Sequence, residues 1–237
     1  MRKCVGILVV MLFFVQGLYA AEDATKLFYS LRSKVLSVKD YTADVKMKID
    51  VNYMHIPQLK GTLYFKTPDK MRLERHGGLS ILPKKNINLT LSNLIPGGQV
   101  TVIDVGYDTR GGKKVRVIKV IPEDDLSNIV LTKIFIDEAN MLALRTETTT
   151  RNDGTVLMDL EFGHYTNYGL PDKVTIFMDL KDYKLPKGVT MDYNDAPTPA
   201  PSADKTKKVK AQKGTIQIAY LKYTVNTGLK DELFVER

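Results

Sequence analysis

The chain has 237 residues, with 35 Lys and Arg against 27 Asp and Glu, three His and one Cys. A formal net charge of +8 scattered among so many acids forms no basic stripe interleaved with aromatics, which argues against a nucleic-acid partner. A single Cys leaves no disulfide framework, and the length suits one large β domain stabilised by its own core.

Met1, Arg2 and Lys3 form a basic head, and the run from Val5 to Leu18 is apolar except for Gly6, Gln16 and Gly17. That is the layout of a signal peptide, shorter than the roughly 20 residues that span a bilayer. Ala20 and Ala21 supply small residues for cleavage after Ala20, leaving 21–237 as one domain; retention of the leader as an anchor is the alternative. Cys4 precedes the apolar run, where it offers no site for a lipid anchor.

From Glu22 to Val38 the residues Ala24, Leu27, Phe28, Leu31, Val35 and Val38 recur at helical spacing, predicting one amphipathic helix. The period then changes to two. Tyr41, Ala43, Val45, Met47, Ile49 and Val51 alternate with Thr42, Asp44, Lys46, Lys48 and Asp50, as in a strand with one apolar face. The same pattern returns at 61–66 and 71–75, joined by a turn at Pro68-Asp69. Further strands are expected at 115–121, 131–136, 142–149, 156–162, 174–180 and 216–225. Their separators are turn chemistry: Gly111-Gly112, Asp137 to Asn140, Asn152-Asp153-Gly154 and Gly169 to Asp172.

Short connectors make an antiparallel meander the economical topology. Its apolar face has to be closed or covered, and the N-terminal helix is the first candidate cover. Ser80 to Gly98, apolar and bounded by Pro83 and Pro96, is expected to fold back over the sheet. A short helix over 123–128, opened by Pro122 with acids in its first turn, is a further cover. The segment 194–213, rich in Pro and Lys, reads as a flexible loop, either drawn to an anionic membrane surface or simply tolerated between two strands.

His55, His76 and His164 lie far apart and in no ligand spacing, so no metal is expected. Gly111-Gly112-Lys113-Lys114 lacks the spacer of a phosphate loop and reads as a hairpin. No Gly-x-Ser-x-Gly elbow occurs, and the expectation is a protein without catalysis or cofactor. Val45, Met47, Leu63, Phe65, Met71, Leu73, Val156, Met158, Leu160, Ile176 and Met178 are expected on the concave side of the sheet. Leu27, Phe28, Leu31 and Val35 of the helix, with Leu89, Leu91 and Leu94 of the apolar connection, are the expected lid. An ordinary dry core has the same alternation, so only the set points to a binding cavity.

The order of these signals resembles the LolA family of periplasmic carriers of outer-membrane lipoproteins and the related lipoprotein-sorting proteins. The likeness rests on Leu27-Phe28-Tyr29-Ser30-Leu31, on Tyr41-Thr42-Ala43-Asp44-Val45 and, above all, on the run from Gly61 to Glu74. That run is similar to the family's Gly-x-Leu-x-x-Lys-x-Pro-x-x-x-Arg stretch. Val120-Ile121-Pro122, the hairpin at Asn152-Asp153-Gly154 and the C-terminal run Val225 to Phe234 add to it. The resemblance implies a predominantly β (α+β) fold: an unclosed antiparallel β-barrel, or half-barrel, with an N-terminal helix and short helices over its concave apolar face. It further implies a periplasmic location, a lipid or acylated lipoprotein cargo, and handover proteins at the inner or outer membrane. Where the carrier has an arginine before the proline, this chain has Thr67, and Met71 stands for an aromatic. The different class kept beside it is an envelope sensor or protein-binding scaffold.

Overall fold

The computed structural model describes residues 22–51, 54–55, 58–68, 70–76, 95–151, 154–179 and 213–235. The leader, the lid candidates Leu89, Leu91 and Leu94, and the Pro/Lys-rich segment up to Gln212 lie outside the described residues. Lys213, expected at the end of that loop, opens the last strand instead.

Helix α1 spans 22–37, as its apolar spacing predicts, and buries Ala24, Leu27, Phe28 and Leu31. At its end Lys39 Nζ donates to the Leu36 carbonyl (3.2 Å), and Ser37 Oγ donates to the Lys34 carbonyl (2.7 Å). Both occupy last-turn acceptors that the helix cannot pair itself.

The strands are β1 (Asp40–Val51), β2 (Met54–His55), β3 (Leu59–Lys66), β4 (Lys70–Arg75), β5 (Val100–Arg110) and β6 (Lys113–Pro122). They continue as β7 (Ile129–Asp137), β8 (Leu142–Thr150), β9 (Thr155–Glu161), β10 (Lys173–Asp179) and β11 (Lys213–Val225). All join one antiparallel sheet in the order β4-β3-β1-β11-β10-β9-β8-β7-β6-β5, with β2 paired to β1 alone. Among the described residues the sheet is not closed, since β4 and β5 are its two ends. The fold is thus predominantly β, an open half-barrel with one N-terminal helix.

The last strand returns beside the first, and the junction is locked by hydrogen bonds. Buried Asp40 accepts from the backbone of Thr227 (2.8 Å) and Gly228 (3.0 Å). Asn226, at φ 56°, accepts the Lys39 backbone N–H on its side-chain carbonyl (2.7 Å). Gly61 in β3 is dictated by close approach, since a Cβ there would stand 2.4 Å from the Glu74 carbonyl oxygen of β4.

Two expectations are corrected. Residues 123–128 form no helix, because Pro122 is the final residue of β6, paired with Val100. Asp124 instead folds the chain into a turn, its carboxylate accepting the Leu126 N–H (2.9 Å) and its carbonyl the Ser127 N–H (3.0 Å). Strand β5 is the second correction, since the hairpin read at Gly111-Gly112 was given no residues for the strand before its turn. The two-residue turn itself is as expected, both glycines having positive φ (54° and 77°).

Candidate functional site

Directly paired residues of an antiparallel sheet point to the same side, so the register traces one face across every strand. Tyr41, Ala43, Val45 and Met47 of β1 pair with Phe65, Leu63, Gly61 and Leu59 of β3. Phe65 and Leu63 pair with Met71 and Leu73 of β4. On the other side Met47 and Ile49 pair with Ile218 and Ile216 of β11, which pair with Val174 and Ile176 of β10. These reach Leu160 and Met158 of β9. The face then passes through Thr146 and Thr148 of β8, Ile134 and Thr132 of β7, Ile118 and Val120 of β6, and Val102 of β5. We call it the inner face, because α1 packs on it.

The face holds two separate clusters. The first gathers Val45, Met47, Leu63, Phe65, Leu73, Met158, Leu160 and Ile176, all buried, with Met71 and Val156 packed against them. For Met178 only the backbone is described, paired with Val156 and Gly214. Met178 apart, the residues expected on the concave side are therefore brought together from β1, β3, β4, β9 and β10.

The second cluster joins Ala24, Leu27, Phe28 and Leu31 of α1, with Val35 beside them, to Val102, Ile118, Val120, Ile134, Ile136 and Ala143. The helix thus covers the β5–β8 half of the face, away from the first cluster; only Val38, just past its end, belongs there. It is held by Arg32 Nη1 donating to the Gly98 carbonyl (2.8 Å) and by Lys34 Nζ donating to the Asn140 carbonyl (2.7 Å). Buried Arg116 adds an ion pair to Asp104 (2.5 Å) and a longer one to Asp23 of α1 (3.5 Å). The Arg116 hydrogen bond holds the Asp104 carboxyl below its ordinary range.

Polar groups sit on the same face: Tyr41, which the alternation of β1 already places there, and Tyr220 and Tyr223, which the sequence reading missed. Tyr41, Tyr220 and Tyr223 are buried in the first cluster, Tyr41 stacked on Phe65 and Tyr220 stacked on Tyr223 at ring separations of 5.0 and 5.1 Å. Tyr223 donates its hydroxyl to the Pro171 carbonyl (2.7 Å). Burial raises the pKa of all three phenols, since no charged form is solvated there. Between the two clusters lie Thr132, Thr146 and Thr148, each 0% exposed.

Among the described residues no group of three or more His, Cys, Asp or Glu is placed to hold a metal. His164 pairs with Asp172 (2.9 Å) and His76 with Thr62 (3.2 Å), each at the surface. No helix among the described residues is long and apolar enough to cross a membrane.

No protein-family model and no curated protein matches the chain. Solved structures do. A LolA superfamily protein from Nitrosomonas europaea superposes with a TM-score of 0.56 at 8% identity, covering 90% of this chain and 97% of that one. A DUF1329 family protein from Desulfovibrio piger gives a TM-score of 0.51 at 11% identity, covering 91% of this chain and 97% of the other. The chain has the fold seen in the LolA superfamily, over nearly its whole length.

Proposed function

We propose that the protein is a periplasmic carrier that holds lipid or lipoprotein acyl chains against the apolar inner face, with neither catalysis nor cofactor. The observation that carries this reading is the first cluster: a wide apolar surface contributed by β1, β3, β4 and β9–β11 in an unclosed sheet whose helix lies over the other half. The LolA-like fold supports it, and the signal-peptide layout before Ala21 supports the compartment.

The energetics suit reversible carriage. Burying one methylene is worth about 0.8 kcal/mol, so a chain of about fifteen gains roughly 12 kcal/mol gross. Separating groups that already pack on one another opposes this, and Met47, Met71 and Met158 repack more cheaply than branched or ring side chains. Handover proteins at the inner and outer membranes would exploit that opposing term.

Introducing charge tests the reading. Leu73→Glu and Phe65→Glu place a carboxylate in the first cluster, while Met71→Glu does so at its half-buried edge, where folding survives more readily. Lipid co-purifying with the protein is expected to vanish in all three while the folded Met71→Glu variant is still exported. Unchanged lipid content in folded Met71→Glu and Leu73→Glu contradicts the proposal.

A second reading, a protein-binding scaffold, has its own observation. Strand β5 ends the sheet, and Ile103, Val105, Ile121, Leu126 and Val130 are exposed on or near that end. An apolar sheet end is suited to pairing with another chain. Retention of a polypeptide, rather than lipid, by the purified protein favours it.

A further inference from the structure

Three buried threonines lie on the inner face between its two hydrophobic clusters. Thr146 pairs with Ile134 on one side and Met158 on the other, and Thr148 pairs with Thr132 and Val156. The register therefore aims all three hydroxyl-bearing side chains into the interior, along the seam where the first cluster meets the second. Thr132 and Thr148 share a hydrogen bond of 3.3 Å. Thr146 Oγ1 is fully buried and has no hydrogen-bond partner among the described residues.

A buried donor with nothing to receive it is the costly half of an unmade hydrogen bond. Valine would fill the same space without that cost, as valine and isoleucine do elsewhere on this face at Val120 and Ile118. The hydroxyl is thus explained by a partner that arrives from outside. That partner must accept a hydrogen bond and lie beside a long apolar surface, and an acyl carbonyl satisfies both conditions.

We propose that Thr146, flanked by the Thr132–Thr148 pair, seats the ester or amide carbonyl at the head of an acyl chain whose hydrocarbon lies along the first cluster. The inference rests on the lipid-binding reading and adds to it a polar reading of how the chain is linked. Ile134, the cross-strand neighbour of Thr146, packs in the cluster that contains Phe28 and Leu31 of α1. A carbonyl entering this seam therefore parts packing at the edge of the helix, which couples recognition of the head to loosening of the cover.

The test compares ester-linked dipalmitoyl phosphatidylglycerol, its ether-linked dihexadecyl analogue, and a diacylated lipopeptide in ester and ether forms. Each displaces a fluorescent fatty acid from the full mature protein. One hydrogen bond corresponds to about a fivefold preference for ester over ether. The wild type is expected to show it, Thr146→Ser to keep it, and Thr146→Val to lose it by weakening ester binding alone. Lipid-free Thr146→Val is also expected to melt higher than wild type.

The lipid class that shows the preference identifies the source of the carbonyl. Equal binding of ester and ether by the wild type, or an unchanged preference in Thr146→Val, overturns the carbonyl seat while leaving lipid carriage intact. A lower melting point of lipid-free Thr146→Val also overturns it, because the hydroxyl then already has a partner. Failure of the wild type to take up any of the lipids overturns both readings together.

Discussion

One sheet face carries two kinds of packing. Over β5–β8, α1 lays Phe28 and Leu31 against Ile118, Ile134 and Ile136, and polar contacts near both of its ends hold it down. Over β1, β3, β4 and β9–β11 the cluster mixes branched aliphatic residues with rings and thioethers, Tyr41, Phe65, Tyr220, Met47 and Met158 among them, with α1 elsewhere. The difference teaches that one continuous face can be covered by a helix over one half and filled by the strands' own side chains over the other. Met47, Met71 and Met158 give the second half side chains that repack at low cost.

The sharpest way to break this comparison is truncation on each side. Phe28→Ala, at a fully buried site under the helix, is expected to cost about 4 kcal/mol in urea unfolding. Met47→Ala in the other cluster is expected to cost about 2 kcal/mol. Equal costs would erase the distinction between the two halves.

Asp104→Asn removes the charge opposite Arg116 and is expected to cost about 2 kcal/mol at pH 7. The sign follows from the lowered folded pKa. The stabilisation is complete above the unfolded carboxylate value of about 3.9 and is lost as pH falls through the folded one. Melting curves of the variant should therefore converge on wild type in acid. A constant gap down to pH 2 would place the effect in packing rather than charge.

The half away from α1 has a signature in alkali. Tyr41, Tyr220 and Tyr223 have raised folded pKa values, so their contribution is complete below the unfolded value of about 10 and is lost as pH rises above it. Each should remove about 1.4 kcal/mol per pH unit in that range. Tyrosinate absorbance is expected to show these phenols ionising only with unfolding. Free titration near pH 10 would mean that this half is wet.

The smallest effect belongs to the surface. Asp231 is exposed, and its hydrogen bonds from Lys66 and Lys70 hold its carboxyl down to about 2. Exposed pairs are screened and contribute little, so Asp231→Asn is expected to leave the melting point unchanged. A measurable drop would show that the helical turn at Asp231–Phe234 anchors the β4 edge.

The first cluster was legible because β1, β3, β4, β9 and β10 keep a clean period of two through Met47, Phe65, Leu73, Met158 and Ile176. Irregular pairing hid the rest. In β11 a register shift places both Tyr220 and Tyr223 on the inner face, three positions apart, which no strict alternation predicts. A shift between Phe135 and Ile136 sets the phase of β8, so Thr146 and Thr148, which look like a wet face, turn inward. Strand β5 was obscured in the same way, because the irregularity between Asp104 and Gly106 breaks the run that begins at Val100. The position of α1 was not legible at all: its stripe specifies an apolar partner but not which half of a continuous apolar face supplies it.

The most direct test of the account is native mass spectrometry of the mature protein, purified from its host without detergent, followed by organic extraction of anything released. The account predicts an added mass that extracts as an acyl-bearing lipid or lipopeptide. A clean protein mass, with an interior inaccessible to an apolar dye, would contradict it and favour the scaffold that pairs through β5.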